Sequence, residues 1–208
     1  MLDKEIIRRI PKVELHEHLD GGLRPETIIE LARERNVTIP STDPVELKEW
    51  FKRGCIQKSL TLYLETFSVT LSVMQDKEAL YRIAKEEILD LAKEHVVYAE
   101  IRFAPELHTK KGLNLEEVVT AVLKGLEAGR KETGTEFGLI LSAMRNEDPS
   151  ISLEVAELAV AFSDRGVVGF DLAGDECGHP PKKHIETFKY IRSKKFHNTI
   201  PAGAAFCL

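Results

Sequence analysis

A chain of 208 residues, 43% of them apolar and 30% charged, is long enough to bury a core and has the composition of an ordinary globular protein. The formal charge of -5, with lysines and arginines interspersed among acids, leaves no basic field to hold a nucleic-acid backbone. Cys55, Cys177 and Cys207 are odd in number and form no CxxC, which excludes a disulfide framework and a thiolate zinc site; with no apolar signal core in MLDKEIIRRIPKVEL and no run of ~20 apolar residues, they point to a cytoplasmic protein that neither meets nor crosses a membrane.

Short apolar, β-branched runs predict strands at 12–18, 96–103, 137–144 and 167–172, with a less regular one near 199–202. After the first strand comes a longer stretch of several helices, one starting at Pro25 and another within 76–80 and running to about residue 95. A helix over 114–132 opens with Asn114 and Glu117 in a capping-box arrangement, carries Val118, Val119, Val122, Leu123 and Leu126 on one face, and stops before Gly134. A further helix over 152–165 has Ser152 as its expected cap and Gly166 past its end, and Pro180-Pro181 precedes a last one running to about residue 194. This alternation predicts a parallel sheet covered by helices, either an open doubly wound sheet or a (β/α)8 barrel. No GxGxxG follows the first strand and no GxxxxGK[ST] occurs, so dinucleotide and P-loop readings lose their support.

The sharpest chemical feature is Glu14-Leu15-His16-Glu17-His18-Leu19-Asp20 at the end of the first strand. Strand side chains alternate, so His16 and His18 are expected on one face, with Val13 and Leu15 directed toward covering helices. Imidazole suits zinc, and a catalytic zinc usually takes three protein ligands and a water, so the pair is half of a site. A bare HxH is better read as two hydrogen-bonded or solvated residues at a strand end; the position, closing the first strand of an alternating chain and followed by Asp20-Gly21-Gly22, turns the reading to metal. A second cluster, Gly169-Phe170-Asp171-Leu172-Ala173-Gly174-Asp175-Glu176, is either a ligand-binding loop or an acidic loop with a turn glycine. The remaining histidines, His95, His108, His179, His184 and His197, show no ligand spacing and read as surface or packing residues.

Taken together, PKVELHEHLDGGLRPETI, VVYAEIRFAPELH, MRNEDP and GFDLAGDE resemble successive motifs of the adenosine deaminase family within the metal-dependent amidohydrolases. The resemblance implies a (β/α)8 TIM barrel, incomplete here with about five of the eight strands, as one partial domain over 1–208. It also implies one Zn2+ per complete enzyme and hydrolysis of adenosine or 2'-deoxyadenosine to inosine and ammonia in purine salvage. His16 and His18 match the family's two zinc-binding histidines, His18 and Asp20 lie where it binds substrate, and Gly174 matches the glycine whose backbone N–H meets the purine. Phe67 resembles an apolar residue at the purine pocket's mouth, a role that stands beside a plain helix-core one. An adenine or N6-methyl-AMP deaminase, or a non-catalytic purine-binding paralogue, are the alternatives. The other zinc deaminase signature, H-x-E with P-C-x-x-C, is absent.

Where the family has His-Ala-Gly-Glu after the fifth strand, this sequence has Pro201-Ala202-Gly203-Ala204. The resemblance gives that His the third zinc bond and that Glu a proton for the purine ring, so both roles stand vacant and no catalytic residue is retained. With Cys207 at what resembles a glycine position, the departures crowd into the last residues, which points to a damaged gene copy or an unreliable read end, and the sequence stops before the family's remaining strands. The expectation is an inactive chain that self-associates through open sheet edges.

Overall fold

The computed structural model describes residues 3–56 and 60–201. Five parallel strands form one sheet in sequential order: β1 (Lys12–His18), β2 (Val96–Phe103), β3 (Glu136–Met144), β4 (Val167–Ala173) and β5 (Asn198–Thr199). All four neighbouring pairs are parallel. A doubly wound sheet reverses its strand order at a switch point, whereas this one never does, so the alternation resolves as part of a barrel wall.

Helix α1 (Lys4–Arg9) precedes β1, and α2 (Pro25–Arg35), α3 (Pro44–Cys55), α4 (Leu60–Val73) and α5 (Lys77–Lys93) fill the long stretch before β2. Proline stands in the first turn of α2 and of α3, where its missing N–H costs nothing. Two forked arginine pairs fasten α2 to α5: Arg24 on Asp90 at 2.6 and 2.7 Å, and Arg35 on Asp76, which also caps α5 through the Ala79 N–H. Helix α6 (Leu115–Thr133) begins with the predicted capping box, Asn114 and Glu117 bonding each other's backbone N–H at 2.8 and 3.1 Å, and ends at Gly134 in the left-handed region. Its Val118, Val122 and Leu126 are buried in one core with Ile83 and Ile88 of α5 and with Ile101, Leu139, Leu141, Phe170 and Leu172 of the strands. Helix α7 (Pro149–Ala161) and α8 (Ile185–Ser193) complete the helical layer. Among the described residues no helix is long and apolar enough to cross a membrane.

Three expectations need correction. Val13 and Leu15 are 57% and 58% exposed instead of lying under helices, because β1 is an edge strand, paired among the described residues with β2 alone. The cap of α7 is Asp148, whose carboxylate accepts the Ser150 N–H at 2.8 Å, so the helix starts a turn before Ser152. Ser152 is buried instead, because its hydroxyl meets partners from other elements. The last strand covers only Asn198 and Thr199; Ala202, along with Ala204 and Cys207, lies outside the described residues.

Candidate active site

The ends of β1 and β4 carry the residues singled out in the sequence. At the end of β1 the strand does not simply alternate: the register with β2 slips between Leu15 and Glu17, and His16 adopts φ 86°. A bulge therefore re-aims His16, an arrangement common at the rims of barrels next to active sites. Holding a bulky residue in that region costs on the order of 1–3 kcal/mol, so the surroundings must over-determine it. The rings of His16 and His18 still converge, edge to face, with centroids 5.1 Å apart.

What holds His16 is Arg102, on β2. Its Nη1 lies 2.6 Å from His16 Nε2, and since a guanidinium only donates, that imidazole nitrogen is the acceptor. Arg102 is itself buried, and its Nη2 donates to Ser142 Oγ of β3 at 3.2 Å and to Asp171 Oδ1 of β4 at 2.9 Å. One side chain thus joins four neighbouring strands on the face opposite the helices. Burial, then Arg102, then His18 push the His16 imidazole down to about 4, so it stays uncharged at neutral pH. Burial pushes the Asp171 carboxyl up, against the pull of Arg102.

Asp20 follows in the turn after β1. It is 8% exposed; its Oδ1 lies 3.6 Å from His18 Nδ1 and has no hydrogen-bond partner among the described residues. A buried acceptor left without a donor is costly in a folded protein unless a ligand completes it. Beside it opens a cavity of about 620 Å³, walled largely by apolar side chains, with Asp20, Gly21, Leu23, Ile28, Phe51 and Phe67 in its lining. The Phe67 ring stands 6.1 Å from that of His18, so the residue left between two roles does reach the site.

Gly174 stands at the end of β4, three strands along the sheet from β1. Its φ of +95° would strain any side chain, and a Cβ there would also press on the ends of Met144 and Asn146, whose Cε and Oδ1 lie 3.0 and 3.1 Å away, so glycine suits the position. The structure therefore brings His16, His18 and Asp20 together and sets Gly174 on the same rim, apart from them.

Two unsubstituted imidazole nitrogens on adjacent rings are the right donors for zinc, and the depressed His16 keeps its lone pair free of a proton. That lone pair is the one Arg102 now engages, so guanidinium and metal are alternative partners for it. Among the described residues no group of three His, Cys, Asp or Glu side chains is placed to hold a metal ion, and the Pro201 side chain brings no donor. The residues fit a zinc ion as two of its ligands.

Sequence reasoning passed over Arg102 and Glu106. Both carried a signal, a charged residue inside or just after an apolar strand. Glu106 lies in the 3-10 turn Pro105–His108 after β2, its Oε1 accepting the Met144 N–H at 2.8 Å while burial pushes its carboxyl up to about 7.

The family model described as "Adenosine deaminase" matches residues 11–208. An adenosine deaminase of Mycobacterium ulcerans is 50% identical over 210 residues, covering 98% of this chain and 58% of its own length. The chain thus spans little more than half of such a relative. Among solved structures, Arabidopsis ADAL complexed with IMP superposes with a TM-score of 0.81 at 29% identity, over 96% of this chain and 60% of that one. The adenine deaminase of Arthrobacter aurescens superposes with a TM-score of 0.81 at 27% identity, over 93% and 57%.

Proposed function

The chain belongs to the adenosine deaminase family, and from that premise we propose that it carries the first half of a purine-deaminating site, able to bind a purine nucleoside and unable to turn it over. The observation that carries this reading is the meeting of His16, His18 and Asp20, whose buried Oδ1 has no hydrogen-bond partner among the described residues and which lines an apolar cavity. The cavity offers a purine its apolar walls and Phe67, and Asp20 offers an acceptor for a donor on the ligand. His18 neighbours both, its ring 6.1 Å from that of Phe67 and its Nδ1 3.6 Å from Asp20 Oδ1. Gly174, with no side chain, lets backbone approach the ligand from the β4 side. His16 and His18 are the ligands this chain would give to zinc, which when bound supplies water activated for hydrolysis at neutral pH. Pro201 and Ala204 offer neither a third ligand nor a proton donor, and loss of a proton donor alone typically costs about 10²- to 10⁴-fold.

The relatives near 50% identity are adenosine deaminases, so adenosine is the ligand of first choice; the likeness to an adenine deaminase and to a structure holding IMP makes adenine and nucleoside monophosphates the comparison set. A cytosolic setting accords with the cysteine usage. The test is an adenosine titration beside an inosine assay on the purified chain. Binding that weakens at least tenfold in Asp20→Ala, with no inosine formed, is expected. Robust inosine formation would overturn the proposal, as would binding indifferent to Asp20→Ala. Zinc retention should fall in His16→Ala and in His18→Ala; stoichiometric zinc that survives dialysis in both variants would mean the metal site lies elsewhere.

A further inference from the structure

The MRNEDP motif plays no part in the site so far, yet its arginine is among the most enclosed charged groups described. Arg145 follows β3, is 3% exposed, and is fixed at both ends. Its backbone N–H donates to the Ala173 carbonyl at 2.9 Å, and its own carbonyl meets His184 Nε2 at 3.1 Å. His184 is fully buried, its Nδ1 2.8 Å from Ser152 Oγ, which lies 2.8 Å from Thr187 Oγ1. From this seat the guanidinium reaches across the strand ends: Nη2 donates to the Leu172 carbonyl at 3.2 Å and to the Pro201 carbonyl at 2.9 Å, with Nη1 4.0 Å from Glu176 Oε1.

The register explains why a side chain is needed there. Phe170 pairs with Asn198 and Asp171 with Thr199, and the Phe170 N–H donates to the His197 carbonyl. Continuing that parallel ladder, the Leu172 carbonyl should receive the N–H of residue 201. Residue 201 is proline and has no N–H. We infer that Arg145 is a positioning residue which, by donating to the Leu172 and Pro201 carbonyls together, replaces the ladder bond that Pro201 lacks and fixes the backbone at 201 against β4. The side chain at 201 then takes its direction from Arg145. Through the proposed site, on which this last step rests, the same bond would aim a metal-binding side chain if one stood there.

The test uses the full chain with Arg145→Gln and Arg145→Lys, each combined with Pro201, Pro201→Ala and Pro201→His. In the Pro201 background, Arg145→Gln should speed amide exchange at Thr199, whose N–H faces β4 in this register, by about tenfold, the loss of roughly one hydrogen bond. In Pro201→Ala, where the ladder N–H returns, the same change should cost less than about threefold. The lysine variant keeps the charge but reaches one carbonyl, so it should fall between; it stands in if the glutamine variant fails to give a native circular dichroism spectrum. Equal exchange with and without Arg145 in the Pro201 chain, or an equal loss in both backgrounds, would refute the inference. For the link to the site, Pro201→His should bind cobalt(II) at least about tenfold more tightly than the unchanged chain and change its visible spectrum, an effect that Arg145→Gln should largely abolish and Arg145→Lys partly restore. If Pro201→His gains nothing while the exchange results hold, it is the placing of residue 201 at the metal pair that fails, and Arg145 as the ladder substitute stands.

Discussion

Glu87, on α5, shows how far a single buried residue can set the behaviour of the chain with pH. Its carboxylate lies against Gly22, in the turn that follows His18, so closely that a Cβ on Gly22 would collide with it. Burial first, then Glu17 and Asp90, push the carboxyl up to about 8, with only Arg24 pulling the other way. The folded state thus holds a proton that the unfolded chain, near the ordinary value of 4.5, gives up first. Stability from this group is complete below about pH 4.5, falls as pH rises, and reaches its full penalty above about pH 8. Glu87→Gln keeps the shape and removes the titration. It should raise the thermal midpoint by several degrees at pH 8.5 and hardly at all at pH 5, as scanning calorimetry at the two pH values would record. An equal shift at both would mean that the carboxylate finds a partner when it ionises. At the same scale, what was legible in the sequence was the pair His16 and His18 with Asp20, because they stand side by side in the chain. Arg102 was not. Its meaning comes from His16, Ser142 and Asp171, each on a different strand, and no local pattern records that juxtaposition.

At the scale of elements, strands and helices were legible wherever their signals were local, as in the capping box of α6, Pro25 opening α2, and the start of α5 within 76–80. The start of α7 was misread because Asp148 and Ser152 are both good caps and only tertiary partners tell them apart. The two sites should behave differently when changed. Asp148→Ala loses a cap at an exposed helix end and should cost about 1 kcal/mol. Ser152→Ala leaves His184 and Thr187 facing an empty position in a buried network and should cost about 1–3 kcal/mol. Urea unfolding of the two variants checks the order; a larger loss for Asp148→Ala would mean that Ser152 contributes little beyond its volume. The bulge at His16 was likewise invisible, since a strict two-residue period predicts the same face for both histidines without any slip of register.

For the whole molecule, the exposed apolar surface around β1 decides the outcome. A (β/α)8 barrel has no sheet edge, because its last strand pairs with its first. Among the described residues β1 and β5 each have a single strand neighbour, and β1 shows Val13 and Leu15 more than half exposed, with Ile6 and Ile7 of α1, Ile10 just after it and Val97 of β2 also open to solvent. Unpaired N–H and C=O groups along a strand beside apolar side chains form a ready template for another chain. The five-stranded unit is therefore expected to self-associate in a concentration-dependent way, through β1 more than through β5, whose two residues are too short to recruit much. Replacing Val13 and Leu15 together by lysine removes apolar area and places charge on the edge without touching the buried core, since neither belongs to it. Sedimentation or size-exclusion chromatography over a range of concentrations should show oligomers for the unchanged chain and a clear shift toward monomer for the double variant. A unit that is already a sharp monomer at ~100 μM, with one cooperative unfolding transition, would mean that the edge covers itself by a rearrangement. Oligomers that persist unchanged in the double variant would move the contact away from β1 to the concave face between β2 and β4, where Tyr98, Ile140 and Val168 line a cavity of about 630 Å³.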